Sequence, residues 1–377
     1  MPDEKLTAYR GGKALRRGWT TGSCAAAASQ AAAVLLLTGI APPEIHLHTP
    51  GGITFCLPVE DAHMSGNAAV CTVRKDSGDD PDITNGVRIT ASVRRIEKGV
   101  TIEGGAGVGR ITRPGLAMPV GEAAINPGPR QQIADAVHRA AQQNGYGGGF
   151  SVTISVKDGE ALAAQTYNGH LGIVGGISIL GTSGIVEPMS EQALLDTIHV
   201  ELRQRRESGA DYVLLAPGNY GADYIRDFLG LDSKSAVLTS NFIGDSLELC
   251  KELGFRGALL IGHIGKLVKL AGGMWNTHSK FGDCRMEIIA AHSAALGLGS
   301  AQTEEILHCA TCDAALRILD EAGRKDAFLA RLGQRIGVML AGKGGALACG
   351  AILFSKEYGF LCETEGAEEL LKQIREG

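Results

Sequence analysis

Aromatic residues make up only 5% of this 377-residue chain, and basic residues do not outnumber acidic ones, 36 against 41. A net charge of −5 excludes a broad nucleic-acid surface, which requires a basic excess. It leaves open an anionic small molecule held by a few placed arginines. A disulfide framework is also missing. The nine cysteines are odd in number and dispersed, which predicts reduced thiols in a cytoplasmic protein. Cys309-Ala-Thr-Cys312 is the one close pair, beside His308. It lacks the second pair of a zinc tetrad and sits in a helical pattern, so buried thiols are expected. His46 and His48 alternate along a predicted strand without an obvious third ligand, so no protein-bound metal is expected. The longest apolar stretch, 24–37, follows Arg16-Arg17 but is mostly alanine and broken by Ser29-Gln30. It falls short of the ~20 residues that cross a bilayer. It reads as a buried helix, neither a membrane span nor a signal peptide. P-loop spacing, a Ser-His-Asp order, internal repeats and low-complexity tails are absent.

Glycine is abundant, at 53 residues, which fits tight turns and loops that hug a ligand. The length suggests two domains. Residues 1–168 read as an α+β domain. Thr20-Thr21-Gly22-Ser23 opens a helix to about 38, where hydroxyls cap the free amides and the same amides can hold an anion. Strands are predicted over 44–48, 53–58, 68–75 and 87–97, then a helix over 126–143 and a strand near 150–156. Gly104-Gly-Ala-Gly-Val-Gly-Arg-Ile-Thr-Arg-Pro-Gly115 lacks the strand-to-helix setting of a dinucleotide fingerprint. Its amides, with Arg110, Arg113 and Arg130, instead suit carboxylates. The glycine-studded stretch 168–188 reads as a domain crossing.

Residues 169–377 read as an α/β domain with a parallel sheet. Apolar runs 212–216, 236–239 and 258–261 alternate with helical patterns at 220–229 and 245–253, a βαβαβ order. Ligands of such sheets bind beyond the carboxyl ends of the strands. Those ends carry Gly218, Asn219 and Gly221, then Ser240, Asn241 and Asp245, then Gly262, His263 and Lys266. A glycine turn after the first strand and a polar group after the second suit a nucleoside cofactor, with Asp245 as the ribose partner and Asn241 beside it. S-adenosylmethionine and NAD both satisfy that pattern. Downstream, Asn276, Thr277, His278, Ser279, Lys280, Asp283 and Arg285 crowd together, more polar groups than a packing segment needs. His263 ranks above His278 as the group that positions or deprotonates a substrate, because His263 follows the third strand directly. The competing role for His263 is a helix cap. Helices are expected over 284–296, 303–321, 326–341 and 365–375, with a hairpin over 351–363.

Several motifs together resemble one family. They are Thr20-Thr-Gly-Ser-Cys-Ala-Ala-Ala-Ala28, the 104–115 stretch, Ala124-Ile-Asn-Pro-Gly-Pro-Arg130, the glycine-rich 172–184 stretch, and Gly262-His-Ile-Gly-Lys-Leu-Val-Lys-Leu-Ala271 with Thr277-His-Ser279. In this order they resemble the CbiD family, the cobalt-precorrin-5B C1-methyltransferases of anaerobic cobalamin biosynthesis. Ser183 stands where a threonine is expected and Ile264 where a proline is expected. The resemblance implies methyl transfer from S-adenosylmethionine to C1 of a cobalt-bearing tetrapyrrole that becomes cobalt-precorrin-6A, with cobalt arriving inside the substrate. The βαβαβ order itself is read as a three-layer Rossmann-like arrangement for the second domain. The residues themselves, rather than the resemblance, point to His263, His278 and Lys266 for catalysis. The cofactor falls to Gly218, Asn219, Gly221, Asn241, Asp245 and Gly262. The substrate falls to Thr21, Gly22, Ser23, Arg110, Arg113, Arg130, Thr277, Ser279 and Asp283. Neither nucleic acid nor membrane is an expected partner, and homo-oligomerisation is compatible with the sequence. Rival classes are an NAD-dependent oxidoreductase and a non-catalytic tetrapyrrole-binding protein.

Overall fold

The computed structural model describes residues 6–10, 12–169, 171–232 and 235–376. The chain is a mixed α/β protein of two compact units, Met1–Glu191 and Gln192–Gly377. The division falls later than the 168/169 boundary read from the sequence. The reason is local pairing. Gly176–Ile177 runs parallel to Gly107–Val108, Ile173–Val174 pairs with Arg110–Ile111, and Ile185–Val186 pairs with Gly18–Trp19. The glycine-rich stretch therefore completes the first unit.

That unit holds a six-stranded sheet in the order Glu44–His48, Thr54–Ser65, Ala68–Arg74, Arg88–Ile96, Gly149–Val156, Val100–Gly104. All neighbours are antiparallel except the last pair, which is parallel. Ile89, Ala91 and Val93 alternate onto the buried face, as period-two patterning requires. The helix Thr21–Thr38 packs there beside Pro127–Gln143. Its alanines from 25 to 28 and 31 to 33 are wholly buried, and methyl-sized side chains let backbones approach closely. By length and composition it could cross a membrane, but 78% of it is buried in the unit. Two strands extend beyond the sequence reading. Thr54–Ser65 continues past 58, where Glu60, Asp61 and His63 hide the apolar alternation. Val100–Gly104 follows a turn at Gly99 and alternates between half-buried and exposed.

The second unit is built on a five-stranded sheet. Its order is Ala236–Leu238, Tyr212–Ala216, Gly257–His263, Ala348–Ser355, Gly359–Glu363. The first four strands are parallel and the last is antiparallel. The expected hairpin over 351–363 thus forms, and its first strand also extends the parallel sheet. Val213, Leu215, Ala258 and Leu260 face one apolar cluster, with Leu247, Leu267 and Ile336 from the helices Ile243–Glu252, Ile264–Ala271 and Lys325–Gly344. Leu214, Ala216, Leu259 and Ile261 face another, with Tyr224, Ile225 and Leu370 from Asn219–Leu229 and Ala367–Glu376. Both sheet faces are covered, which explains why the strands read as unbroken apolar runs. The helix expected over 303–321 is two helices, Ser300–Leu307 and Cys312–Glu321. Thr311 caps the second by accepting the Ala314 amide at 3.2 Å. Apolar residues through the break masked it. Cys312 is buried and Cys309 half-buried; both are free thiols.

Candidate active site

The strand ends of the second unit converge on one ammonium group. Gly218, at φ 105°, turns the chain in a conformation that favours glycine. A Cβ there would lie 3.3 Å from the Lys266 Nζ. Lys266 Nζ donates to the Ser240 carbonyl at 3.1 Å. Lys266 itself stands on the helix that follows the third strand. From the helix after Gly257–His263, this side chain binds the turn after Ala236–Leu238 and lies beside the turn after Tyr212–Ala216. Burial holds the Lys266 pKa below its usual value, and the Lys269 charge adds to the effect. Ser240 itself adopts φ 52°, a costly geometry for a non-glycine residue, of a kind that collects at functional sites.

The chain after the next helix folds back onto this rim. Gly273 turns with φ 79°. Thr277 then donates its amide to the Asn241 carbonyl at 3.0 Å and its hydroxyl to Asn241 Oδ1 at 3.2 Å. Lys269, only 4% exposed, fixes the loop by donating to the carbonyls of Thr277 at 3.2 Å and Gly282 at 3.1 Å. Arg285 grips Asp283 through Nε at 2.5 Å and Nη2 at 2.7 Å. That pairing holds the Asp283 carboxyl below its usual range. The outcome is a cleft of about 320 Å³ lined by Asn241, Gly265, Lys269, Thr277, His278 and Arg285, together with Ser279 and Asp283.

The two histidines are held alike. His263 Nδ1 accepts the Gly265 amide at 3.0 Å, and His278 Nδ1 accepts the Lys280 amide at 3.0 Å. Each caps a short helix. With Nδ1 occupied as an acceptor, a neutral ring carries its proton on Nε2. The free face of each ring is then a hydrogen-bond donor. Burial lowers the His263 pKa; Asp313 opposes, while Lys356 and Arg285 reinforce the lowering. His263 also meets Phe354 edge-on at 5.8 Å and lies 6.1 Å from the Tyr220 ring.

Other predicted residues fall elsewhere. Gly262 and Gly221 are packing glycines: a Cβ would meet Pro217 and Leu267 at 2.9 to 3.1 Å in the first case and the Ile261 carbonyl at 2.8 Å in the second. Asn219 opens its helix, and its side chain lies outside the described residues. Asp245 is exposed in the first turn of Ile243–Glu252, outside the cleft lining. Arg285 belongs to the polar crowd read from the sequence but carried no assigned role there, and Lys269 is a cleft residue that the reading passed over. The signal was the Lys266–Lys269 spacing, since residues three apart share a helix face.

In the first unit the helix start Thr21-Gly22-Ser23 is closed. Gly22 N–H donates to the Leu180 carbonyl at 3.0 Å, Ser23 N–H to Thr20 Oγ1 at 3.2 Å, and Ser23 Oγ to the Gly184 carbonyl at 2.7 Å. Thr21 Oγ1 accepts the Leu180 amide at 2.8 Å. These groups hold the 178–184 loop, so capping accounts for them. Arg130 donates to the Ile125 and Ile102 carbonyls and pairs with Glu122 at 3.4 Å. Arg110 pairs with Glu103 at 3.1 Å. Arg113 is exposed and, among the described residues, ion-pairs with no carboxylate. Cys56 lies opposite His46 in the sheet register. Ligand atoms of Glu44, His46 and Cys56 lie within 4.8 Å of one another on the exposed face. The cross-strand cysteine is invisible to a linear reading.

Fold and cleft together define a mixed α/β protein with a polar cleft beside the turns that follow the strands of a parallel sheet. The chain belongs to the CbiD family. The CbiD family model matches residues 8–188, and the model of the CbiD C-terminal domain matches residues 276–365. The cobalt-precorrin-5B C(1)-methyltransferase of Ruminiclostridium cellulolyticum is 48% identical over 318 residues, 84% of this chain and 83% of that protein. The protein of the same name from Citrobacter koseri is 40% identical over 381 residues, covering 100% of both chains. That from Salmonella typhimurium is 41% identical over 368 residues, 97% of this chain and 96% of the other. A crystal structure of the cobalamin biosynthesis protein cbiD from Archaeoglobus fulgidus is 28% identical, covers 73% of this chain and 87% of that one, and superposes with a TM-score of 0.41.

Proposed function

We propose that this chain is a cytoplasmic cobalt-precorrin-5B C1-methyltransferase, moving a methyl group from S-adenosylmethionine to C1 of a cobalt-bearing tetrapyrrole in anaerobic cobalamin biosynthesis. The observation that carries the reading is identity of 40% across 381 residues to a relative of that name. In the reaction the ring carbon supplies the electron pair for the new C–C bond. The sulfur takes the pair of the breaking C–S bond and leaves as a neutral thioether. The positive charge passes to the ring and is discharged as a proton. Such an in-line displacement depends on alignment, and well-placed reactants lower a barrier by about 7–11 kcal/mol.

The second unit is read as the three-layer Rossmann-like half that holds the donor. Support comes from the four parallel strands and the apolar clusters on both sheet faces. The turns at Gly218 and Asn241 take the nucleoside, with Asp245 as the ribose partner to be tested. His263 and His278 present Nε2–H groups to the reacting ring or its carboxylates, and Lys266 anchors the Ser240 turn beside them. On this reading the histidines position by donating, and removal of the ring proton by either needs its cap to break. Arg113 is the substrate cation retained from the first unit.

Incubation with methyl-labelled S-adenosylmethionine and cobalt-precorrin-5B tests the reading. Label at C1 in stoichiometric amount is expected. An NAD-dependent oxidoreductase gives a cofactor fluorescence change instead, and a carrier binds the ring without turnover; either result replaces the proposal.

A further inference from the structure

A second cleft in the same unit, of about 550 Å³, is lined by Ala271, Glu287, His292, Arg331 and Arg335 among others. Arg331 and Arg335 stand one turn apart on the helix Lys325–Gly344, so they share a face. Arg331 Nε donates to His292 Nδ1 at 3.1 Å, and Arg335 Nε donates to the Ala271 carbonyl at 3.1 Å. Each guanidinium is thus anchored through Nε, which leaves its Nη end to face a ligand. Among the described residues, no carboxylate lies within ion-pairing distance of either. His292, bound as an acceptor at Nδ1, offers a third donor at Nε2. Burial and then the two arginine charges lower its pKa. A helix C-cap accounts for one of these contacts, Arg335 on Ala271, but not for Arg331, His292 or the cleft. Glu287 is the one acid on the wall.

We infer that this cleft is a carboxylate subsite that holds peripheral carboxylates of the tetrapyrrole through Arg331, Arg335 and His292. The inference rests on the methyltransferase reading for the identity of the ligand. Three donor side chains face one acid, Glu287, and planar guanidinium ends match carboxylates better than any neutral group. The position agrees. The helix Ile264–Ala271 runs from Gly265, at the first cleft, to Ala271, at this one, about 9 Å along the axis. The proposal requires that carboxylate side chains of a ring bound at the first cleft extend to this second set of donors.

The test measures binding of a cobalt corrin polycarboxylate and of its methyl ester to the intact chain, at low and high salt. The parent should prefer the free acid, with affinity that falls as salt rises. Arg331→Gln with Arg335→Gln should lose roughly tenfold in affinity for the acid, the scale of two partly exposed ion pairs, and should lose the salt dependence. Its S-adenosylmethionine affinity should match the parent. Unchanged acid binding and salt response in the folded double variant overturn the subsite while leaving the activity intact. So does a parent that binds acid and ester equally. An equal loss of S-adenosylmethionine affinity also overturns it, by assigning the arginines to the cofactor. Should the double variant not fold, Arg331→Gln alone, which gives up only the His292 contact, carries the same comparison. A parent that prefers the acid yet transfers no methyl group sinks the methyltransferase reading instead.

Discussion

The bond from the Gly265 amide to His263 Nδ1, at 3.0 Å, sets what the His263 ring can do. Two roles coincide in one side chain: a cap through Nδ1 and a donor through Nε2. Substitution separates them. His263→Asn keeps an acceptor for the Gly265 amide; His263→Ala removes both groups and should cost about 1 kcal/mol of stability as a lost cap. If the ring positions or moves a proton, both variants should lose ~10²–10⁴-fold in single-turnover methylation with little change in binding. A loss under tenfold in folded His263→Asn, bound to both ligands, would leave His263 a cap alone. The pH response has a definite sign. The folded-state pKa of His263 is lowered below 6.5, so the unfolded chain binds the proton first. The contribution is fully present above pH 6.5 and is lost as pH falls towards the folded value. His292 is lowered too and acts in the same direction. Melting curves of His263→Asn should therefore flatten against pH below 6.5 relative to the parent; an identical slope contradicts this. For the donor, Asp245→Ala should weaken S-adenosylmethionine binding by about 1.5–3 kcal/mol, the range of a charge-assisted hydrogen bond. Calorimetry giving parental affinity would place the ribose elsewhere. The sequence marked both histidines, because glycine and polar residues at a strand end stand out. It left cap and catalyst open, since a ring nitrogen's partner is a matter of geometry.

The helix Thr21–Thr38 was legible as a buried element from its alanine content, and its packing tests the reason for that content. Ala28 is wholly buried, and Ala28→Leu should destabilise by about 1–3 kcal/mol through overpacking, measured by urea denaturation. A neutral result would mean that the helix has room to shift. The glycine-rich stretches were harder to interpret. Gly107 adopts φ 75°, and a Cβ there would sit 2.0 Å from the Val156 carbonyl. The residue exists for close backbone approach, whereas the sequence also allowed an anion-binding loop. Glycine counts look alike in both cases; only the neighbouring strand distinguishes them. The same holds at Thr21-Gly22-Ser23, where capping and anion binding use the same residues and the 178–184 loop decides between them. The parallel βαβαβ order was readable from regular apolar runs, but the fourth parallel strand, Ala348–Ser355, pairs with a strand some ninety residues earlier in the chain. Nothing local announces such a partner.

The rim turns and both clefts are built from residues of Gln192–Gly377. If the donor binds at that rim, the fragment 192–377 should bind S-adenosylmethionine within tenfold of the intact chain, provided circular dichroism shows it folded. Loss of binding in a folded fragment would require donor contacts from the first unit. The central claim concerns the chemistry of the whole chain, and one measurement addresses it directly. The intact protein is incubated with cobalt-precorrin-5B and S-adenosylmethionine carrying a ¹³C methyl group, and the product is examined by NMR. The account predicts one new methyl signal, at C1, in stoichiometric amount with the thioether formed; label at another ring carbon, or none, would contradict it.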